Sequence, residues 1–184
     1  MQALRRHDDI AVRAVEFLVL TAARLGEVLE ATWAEVDLTG KVWIVPAARM
    51  KAGKEHRVPL ANRALAIIEQ MQSVQCSNYI FPGAREGRPW SSGTLLGRVK
   101  QIGGVAATLH GFRSSFRDWA AERTNFPREV AELALAHAIG SEVEAAYRRG
   151  DLFEKRRKLM DAWAEFCAKP SKSGTVVPIG VAMK

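Results

Sequence analysis

Residues 133–151 read LALAHAIGSEVEAAYRRGD, and the rest of the chain is organised around this stretch. Gly140 interrupts the apolar run after His137, and Ser141 with Glu144 three places on makes a capping box that opens a short new helix. Tyr147 falls about two turns into it. Gly150 closes that helix, and Asp151 with Glu154 opens the next. A tyrosine near the end of a short, separately capped helix, flanked by Arg148 and Arg149, suits presentation to an anion better than burial in a core.

Immediately upstream, LHGFRSSFRDWAAER (residues 109–123) puts Leu109, Phe112, Phe116 and Trp119 on one helical stripe. His110, Arg113 and Arg117 form a parallel stripe about 100° away. Burying the aromatics sets His110 and Arg113 at the edge of the core, where a partly desolvated charge costs stability unless an anion or acid completes the site. FPREVAELALAH (126–137) follows as a short helix with Pro127 in its first turn. Downstream, LFEKRRKLMDAWAEFCAKP is amphipathic, with Leu152, Leu159, Met160, Trp163 and Phe166 toward one side and a basic cluster, Lys155 to Lys158, on the other. The last residues, SKSGTVVPIGVAMK, cannot bury themselves, and are expected to add to a sheet edge, dock on a neighbouring copy or remain disordered.

Working toward the other end, residues 1–23 carry Ile10, Ala14, Phe17, Leu18 and Thr21 at helical spacing, which predicts one core helix. In TAARLGEVLEATW (21–33), Arg24 and Glu27 share a helix face. Such a pair is ordinarily a solvated ion pair; its other meaning is an arginine held by its own carboxylate. VDLTGKVWIVP (36–46) predicts a strand pair, and a second hairpin follows with arms Val42 to Pro46 and Arg57 to Leu60. Its loop, AARMKAGKEH, has Gly53 between Lys51 and Lys54; loop lysines are usually just solvated, but two of them with His56 favour a finger reaching into a groove. Asn62 is expected to cap a helix to about Val74, and Ser91 or Ser92 one to about Ile102 that carries Arg98 and Lys100. The fold class expected is mixed α+β, mainly helical with a small antiparallel sheet, over residues 1–169, with 170–184 as a tail.

With 184 residues and 48% hydrophobic content the chain can bury a core, and no Pro/Gly/Ser-rich linker divides it. A net charge of +7 points to a polyanion partner. Cys76 and Cys167 form no C-x-x-C pair, which argues against a zinc site or a disulfide framework. Neither an 18-residue apolar run nor a secretory leader is read, so the expected location is the cytoplasm. The phosphate-binding G-x-x-x-x-G-K-[ST], the dinucleotide G-x-G-x-x-G, the hydrolase G-x-S-x-G and clustered metal-binding carboxylates are all missing from the sequence. Chemistry on phosphate is therefore expected to use cationic side chains, with no cofactor and no metal.

In order and approximate spacing, TAARLGEVLEATW, RMKAGKEHRVPL, LHGFRSSF and LAHAIGSEVEAAYRRGD resemble the catalytic domain of the tyrosine recombinases (phage integrases), from about residue 10 to 168. RMKAGKEHRVPL and the ten-residue spacing from His137 to Tyr147 make it most similar to integrases of prophages and genomic islands. The resemblance implies that Arg24, Lys51, His110, Arg113 and His137 are catalytic and that Tyr147 is the nucleophile. Lys54 is the alternative hairpin lysine, and Glu27 supports Arg24. It implies a 3′-phosphotyrosyl intermediate on double-stranded DNA at attachment sites, in the bacterial cytoplasm and nucleoid. It also implies a homotetramer on synapsed DNA and a monomer when free. Lys54, Arg98, Arg117, Arg148 and Arg149 are expected to contact DNA. Alternative functions are relaxation like that of a type IB topoisomerase, or DNA binding alone by a prophage remnant. Ala22 and Ala136 stand where the family usually has glycine, and as small residues are expected to matter little. The DNA-clamping domain that family integrases carry ahead of this one is expected to be absent, which would weaken DNA binding and make it more salt-sensitive.

Overall fold

Asp9 starts the helix at the centre of the molecule: its carboxylate accepts the Val12 N–H at 2.9 Å, capping α2 (Ile10–Thr21). The computed structural model describes residues 1–85, 88–103, 108–138 and 150–169. In chain order these contain α1 (Gln2–Arg5), α2, α3 (Leu25–Leu29), β1 (Val36–Asp37), β2 (Val42–Val45), β3 (His56–Pro59), α4 (Asn62–Gln72), α5 (Ser92–Gly103), α6 (Gly111–Arg123), α7 (Arg128–Ala134) and α8 (Phe153–Ala168). The expected class, helical with a small antiparallel sheet, is the observed one. The single helix expected over residues 1–23 is instead two, because Asp9 caps α2 and the chain before it folds back.

α2 packs against α1, α3, α4, α5 and α8, so it is apolar nearly all round, as a surrounded helix must be. Glu16 is the exception, fully buried inside it. Arg63 of α4 binds its carboxylate through Nε and Nη2 at 2.9 and 2.7 Å, and Arg5 of α1 through Nε at 2.7 Å. Burial pushes the Glu16 carboxyl up, but Arg63 and Arg5 outweigh it and hold it below the usual range. One buried charge thereby ties three helices together, since leaving it unpaired would cost several kcal/mol, about 3–5.

The sheet runs β1-β2-β3, antiparallel throughout, with Val36 opposite Trp43, Trp43 opposite Val58 and Val45 opposite His56. The expected alternation of Val42 and Ile44 misses its main feature. Trp43 and Val45 are completely buried, Val42 nearly so, and only Ile44 is half-exposed. The middle strand is covered on both faces and reads as a continuous apolar run. Trp43 reaches Phe17 of α2 at 5.4 Å between ring centroids, and Phe17 reaches Phe81 at the same distance. Burying Phe17 stabilises the fold by about 2 kcal/mol.

A second aromatic group joins α6 to α8, with Trp163 5.4 Å from Phe116 and 5.0 Å from Trp119. Trp163 Nε1 also donates to the Val19 carbonyl at 2.7 Å, in the last turn of α2. Helix α6 is thus held against the end of α2, with its Arg113 facing the same junction. Two expected caps resolve differently: Ser91 accepts the Thr94 N–H at 3.1 Å at the start of α5, whereas Ala61 holds the N-cap position of α4 and Asn62 accepts from Lys41 at 3.2 Å instead. Arg98 of α5 is paired with Asp9, which it reaches through Nε at 2.9 Å, so it fastens α5 to the start of α2. Among the described residues no helix is long and apolar enough to cross a membrane.

Candidate active site

Helix α7 stops at Ala134 although LALAHA would let it continue. Ala136 adopts φ 51°, its N–H donates to the Leu133 carbonyl at 3.1 Å, and the His137 N–H donates to the Glu132 carbonyl at 2.9 Å. This pair of bonds is the Schellman ending of a helix. The break expected at Gly140, after His137, therefore comes before His137.

Ending the helix there leaves its last carbonyls to other donors, and two separate parts of the chain supply them. Arg113 of α6 donates through Nη2 to Leu135 at 2.7 Å, and Arg24 through Nη2 to Ala136 at 3.3 Å. Cations are favoured at a helix C-terminus by the macrodipole, by about 0.3–1 kcal/mol each. The second arm of Arg113 donates through Nη1 to the Ala22 carbonyl at 2.5 Å, at the left-handed end of α2, two residues before Arg24. Arg113 thus clamps the ends of α2 and α7 together, and Arg24 crosses between the same two ends.

Glu27 fixes Arg24. One oxygen accepts the Arg24 backbone N–H and the other its Nη1, both at 2.8 Å, and Glu27 is 5% exposed. Arg49 donates to the Glu27 carbonyl at 3.0 Å and to Glu35 at 2.5 Å, pinning α3 from behind. Burial, with Arg24 close by, lowers the Arg113 guanidinium to about 10, Glu27 pulling the other way. Arg113 remains charged at neutral pH, but two guanidiniums facing one carboxylate form a site that an added anion would stabilise.

His137 stands next to Arg113, its Nε2 3.4 Å from Arg113 Nη2. Its Nδ1 is 2.6 Å from Glu132 Oε2, and Arg117 Nε donates to Glu132 Oε1 at 2.9 Å. Burial pushes the Glu132 carboxyl up, yet the hydrogen bonds from His137 and Arg117 bring it below its ordinary value. Glu132 orients the ring, and Arg117, expected on DNA, is its counter-ion here. Sequence reading missed Glu132; the five-residue spacing from Glu132 to His137 becomes a signal only once the Schellman turn is known.

His110 occupies the N-cap position of α6 and is exposed, whereas Arg113 is 6% exposed. The two were expected side by side at the edge of the core; the helix begins after His110, so they differ in depth. Lys51 and Lys54 stand exposed on the turn that follows Met50, whose buried side chain anchors it. Among the described residues no hydrogen bond or ion pair joins these lysines to Arg24, Arg113 or His137. Tyr147, Arg148 and Arg149, the expected capping box at Ser141 and Glu144, and the tail from 170 lie outside the described residues. The segment carrying Tyr147 is flanked by fixed points. On one side is His137; on the other, Asp151 accepts Arg156 Nη2 at 2.5 Å, and Arg57 lies 3.6 Å from it.

Both alanines expected to matter little sit at φ 50–51°, a left-handed backbone that costs an L-residue about 1–2 kcal/mol. Glycine's greater unfolded-state freedom offsets part of that. Ala22→Gly and Ala136→Gly are each expected to raise stability by about 0.5–1 kcal/mol, read as a higher denaturation midpoint. A fall in the midpoint for both would show that the strain is relieved by other means.

Two guanidiniums of this kind, braced by a buried glutamate beside a carboxylate-oriented histidine, invite comparison with known proteins. Residues 1–152 match the sequence profile of the phage integrase family. The chain belongs to that family. This integrase-family chain is 40% identical over 162 residues to prophage integrase IntA of Escherichia coli (strain K12), a match covering 86% of this chain and 39% of IntA. It spans about two fifths of the length of the curated relatives it matches. The fold is shared with the integrase from mycobacterium phage Brujita, at TM-score 0.71 and 18% identity over 93% of this chain and 58% of that one. It is also shared with a lambda integrase tetramer bound to a Holliday junction, at TM-score 0.56 and 24% identity over 77% of this chain and 44% of that one. Among the described residues no group of three or more His, Cys, Asp or Glu could hold a metal ion.

Proposed function

We propose that this chain is the catalytic domain of a site-specific DNA recombinase that integrates or excises a mobile element. The observation that carries the proposal is the clamp formed by Arg113 on Ala22 and Leu135, with Arg24 on Ala136 and His137 alongside. It concentrates directed N–H donors where an in-line displacement at a phosphodiester would develop negative charge on the nonbridging oxygens. Guanidiniums suit this task because their rigid forks match phosphate oxygens.

In the reaction, the Tyr147 oxygen attacks phosphorus and its proton passes to a base, for which His110 is the candidate. A free tyrosine ionises near a pKa of about 10, so cations nearby are needed to favour the phenolate. The bond from phosphorus to the 5′-oxygen breaks, the electron pair leaves with that oxygen, and Lys51 supplies its proton. The product is a 3′-phosphotyrosyl linkage and a free 5′-hydroxyl. Attack by another strand's 5′-hydroxyl reverses the step, so one phosphoester replaces another and ATP is not consumed. Double-stranded DNA is the partner, and four copies are expected on synapsed sites, in keeping with the tetramer that the lambda integrase forms on a Holliday junction. Lys54, Arg148 and Arg149 are candidate phosphate contacts; Arg98 and Arg117 would have to leave or share their carboxylates to join them.

The test is a pool of nicked suicide duplexes with randomised core sequence, incubated with the chain at low salt and resolved on a denaturing gel. A covalent adduct whose protease fragment carries the nucleotide on Tyr147 is expected. An adduct on another residue, or none although the duplexes are retarded, would sink this reading.

A further inference from the structure

We infer that Arg49 is a positioning residue for the leaving-group acid: it ties the turn that carries Lys51 to Glu27, the residue that braces Arg24. This rests on the recombinase reading above and extends it to a residue that the chemistry itself does not use.

Glu27 has a carbonyl to offer because α3 is short. The Glu30 N–H turns back to Gly26 and Val28 and the Ala31 N–H to Val28, leaving the Glu27 carbonyl to a side-chain donor at the helix's C-terminal end. Arg49 Nη1 donates to it at 3.0 Å, a cation where a helix end favours one. The other arm of the fork, Nη2, meets Glu35 Oε2 at 2.5 Å, and the same oxygen accepts Trp43 Nε1 at 2.9 Å. Trp43 lies completely buried in β2. Arg49 is therefore fastened both to the end of α3 and to the strand that leads into the lysine turn. Its side chain is 17% exposed and that of Glu35 11%, so the pair is shielded from water and holds its geometry better than a surface pair.

Only Met50 separates Arg49 from Lys51. That interval is braced: the N–H groups of Arg49, Met50 and Gly53 donate to the carbonyls of Pro46, Ala47 and Met50 at 3.0, 3.1 and 2.9 Å, and the Met50 side chain is buried. Lys51 itself is exposed, so its main chain is fixed by Arg49 on one side and by the pairing of His56 with Val45 on the other. Glu27 then serves two groups with different duties. Its carboxylate holds Arg24 through the main-chain N–H and Nη1, both at 2.8 Å, and its carbonyl holds the lysine turn through Arg49. The spacing between the guanidinium that meets the phosphate and the ammonium that meets the leaving oxygen is thereby set through one residue. Without Arg49, sheet pairing alone would hold the arm, and the ammonium would sample a wider volume.

Displacing an acid by about 1 Å costs on the order of 100-fold in rate, and that cost vanishes when the leaving group needs no proton. The experiment therefore compares two nicked duplexes of one sequence recovered from the adduct pool, one ordinary and one with sulfur replacing the scissile 5′-oxygen. In the second, the phosphorus–sulfur bond breaks with its electron pair on sulfur, and the thiolate leaves without an acid. For Arg49→Met, single-turnover cleavage of the ordinary duplex is expected to fall about 10–100-fold. Cleavage of the sulfur-bridged duplex should fall less than about threefold on the same argument. Because Arg49 acts through Lys51, adding Arg49→Met to Lys51→Ala should slow the ordinary duplex by less than about a further threefold. Equal slowing of both duplexes would move the effect to Arg24 or to the fold. That result, no slowing of either duplex, or full additivity with Lys51→Ala overturns the role of Arg49. If the unaltered chain cleaves neither duplex, the recombinase reading fails first and the role goes with it. Arg49→Met leaves the Glu35 carboxylate without its cation. Should that variant lose its fold by circular dichroism, Arg49→Met combined with Glu35→Gln, whose amide oxygen can still accept from Trp43, takes its place in the same comparison.

Discussion

Arg113→Lys is expected to lower single-turnover strand cleavage by about 10²–10³-fold while leaving duplex retardation nearly intact. The charge is kept, so the loss must come from geometry. Arg113 spends Nη1 on Ala22 and Nη2 on Leu135, and lies 3.4 Å from His137, all while 6% exposed. One ammonium on an unforked stem, ending about where the arginine Cζ lies, cannot reach both carbonyls and face a phosphate as well. One buried carbonyl would lose its partner, which costs about 1–3 kcal/mol. The same variant should therefore show a lower denaturation midpoint. Two readouts separate the effects: cleavage measured well below the new midpoint reports chemistry, and the midpoint reports the clamp. Cleavage within tenfold of the unaltered chain, with the fold intact, would remove Arg113 from the centre of the reaction.

Acid is expected to destabilise the fold in two stages, the first beginning above the carboxylate range. His56 has a folded value of about 4, against an ordinary value of about 6.5 in the unfolded chain. Above 6.5 both states hold the neutral ring and stability is complete. As pH falls through 6.5 only the unfolded chain takes up the proton, so stability declines until about 4 and then levels for this group. The gap corresponds to about 3 kcal/mol. Below the ordinary carboxylate range Glu16 and Glu132, both held low by their partners, add their own losses in the same direction. Denaturant midpoints between pH 7 and 4.5 measure the first stage. His56→Gln, which cannot titrate, should flatten it; an unchanged slope in that variant would assign the effect elsewhere.

Arg113 and Arg24 both donate to the carbonyls that follow α7 once it ends at Ala134. A site built on a helix terminus gains direction from the backbone, whose carbonyls cannot swing away as side chains do. It also explains how a protein tolerates two arginines so close together, since each is satisfied before any phosphate arrives.

Much of this was legible in the amino-acid order. Periodicity located α2, α4, α6 and α8, alternating and β-branched residues located β2 and β3, and the spacing of Arg24 to Glu27 offered a braced arginine beside the ordinary solvated pair. These are local properties: helical and strand periods, caps and i, i+3 neighbours involve residues a few positions apart, so sequence alone carries them. What the sequence could not settle depends on residues far apart in the chain. Nothing near Arg113 says that its partner will be the carbonyl of Ala22, and nothing near Arg24 says that it will meet the carbonyl of Ala136. Charge was legible but its destination was not, which is why Arg98 and Arg117, read toward DNA, are found on Asp9 and Glu132. Ala22 and Ala136 were read by size, whereas what matters is their left-handed backbone, a conformation set where each helix closes on its own last carbonyls. The sequence by itself determined the helices, the hairpins and the set of cations; only the tertiary structure decided which carbonyls those cations share, because that choice is made by packing α2, α6, α7 and β3 against one another.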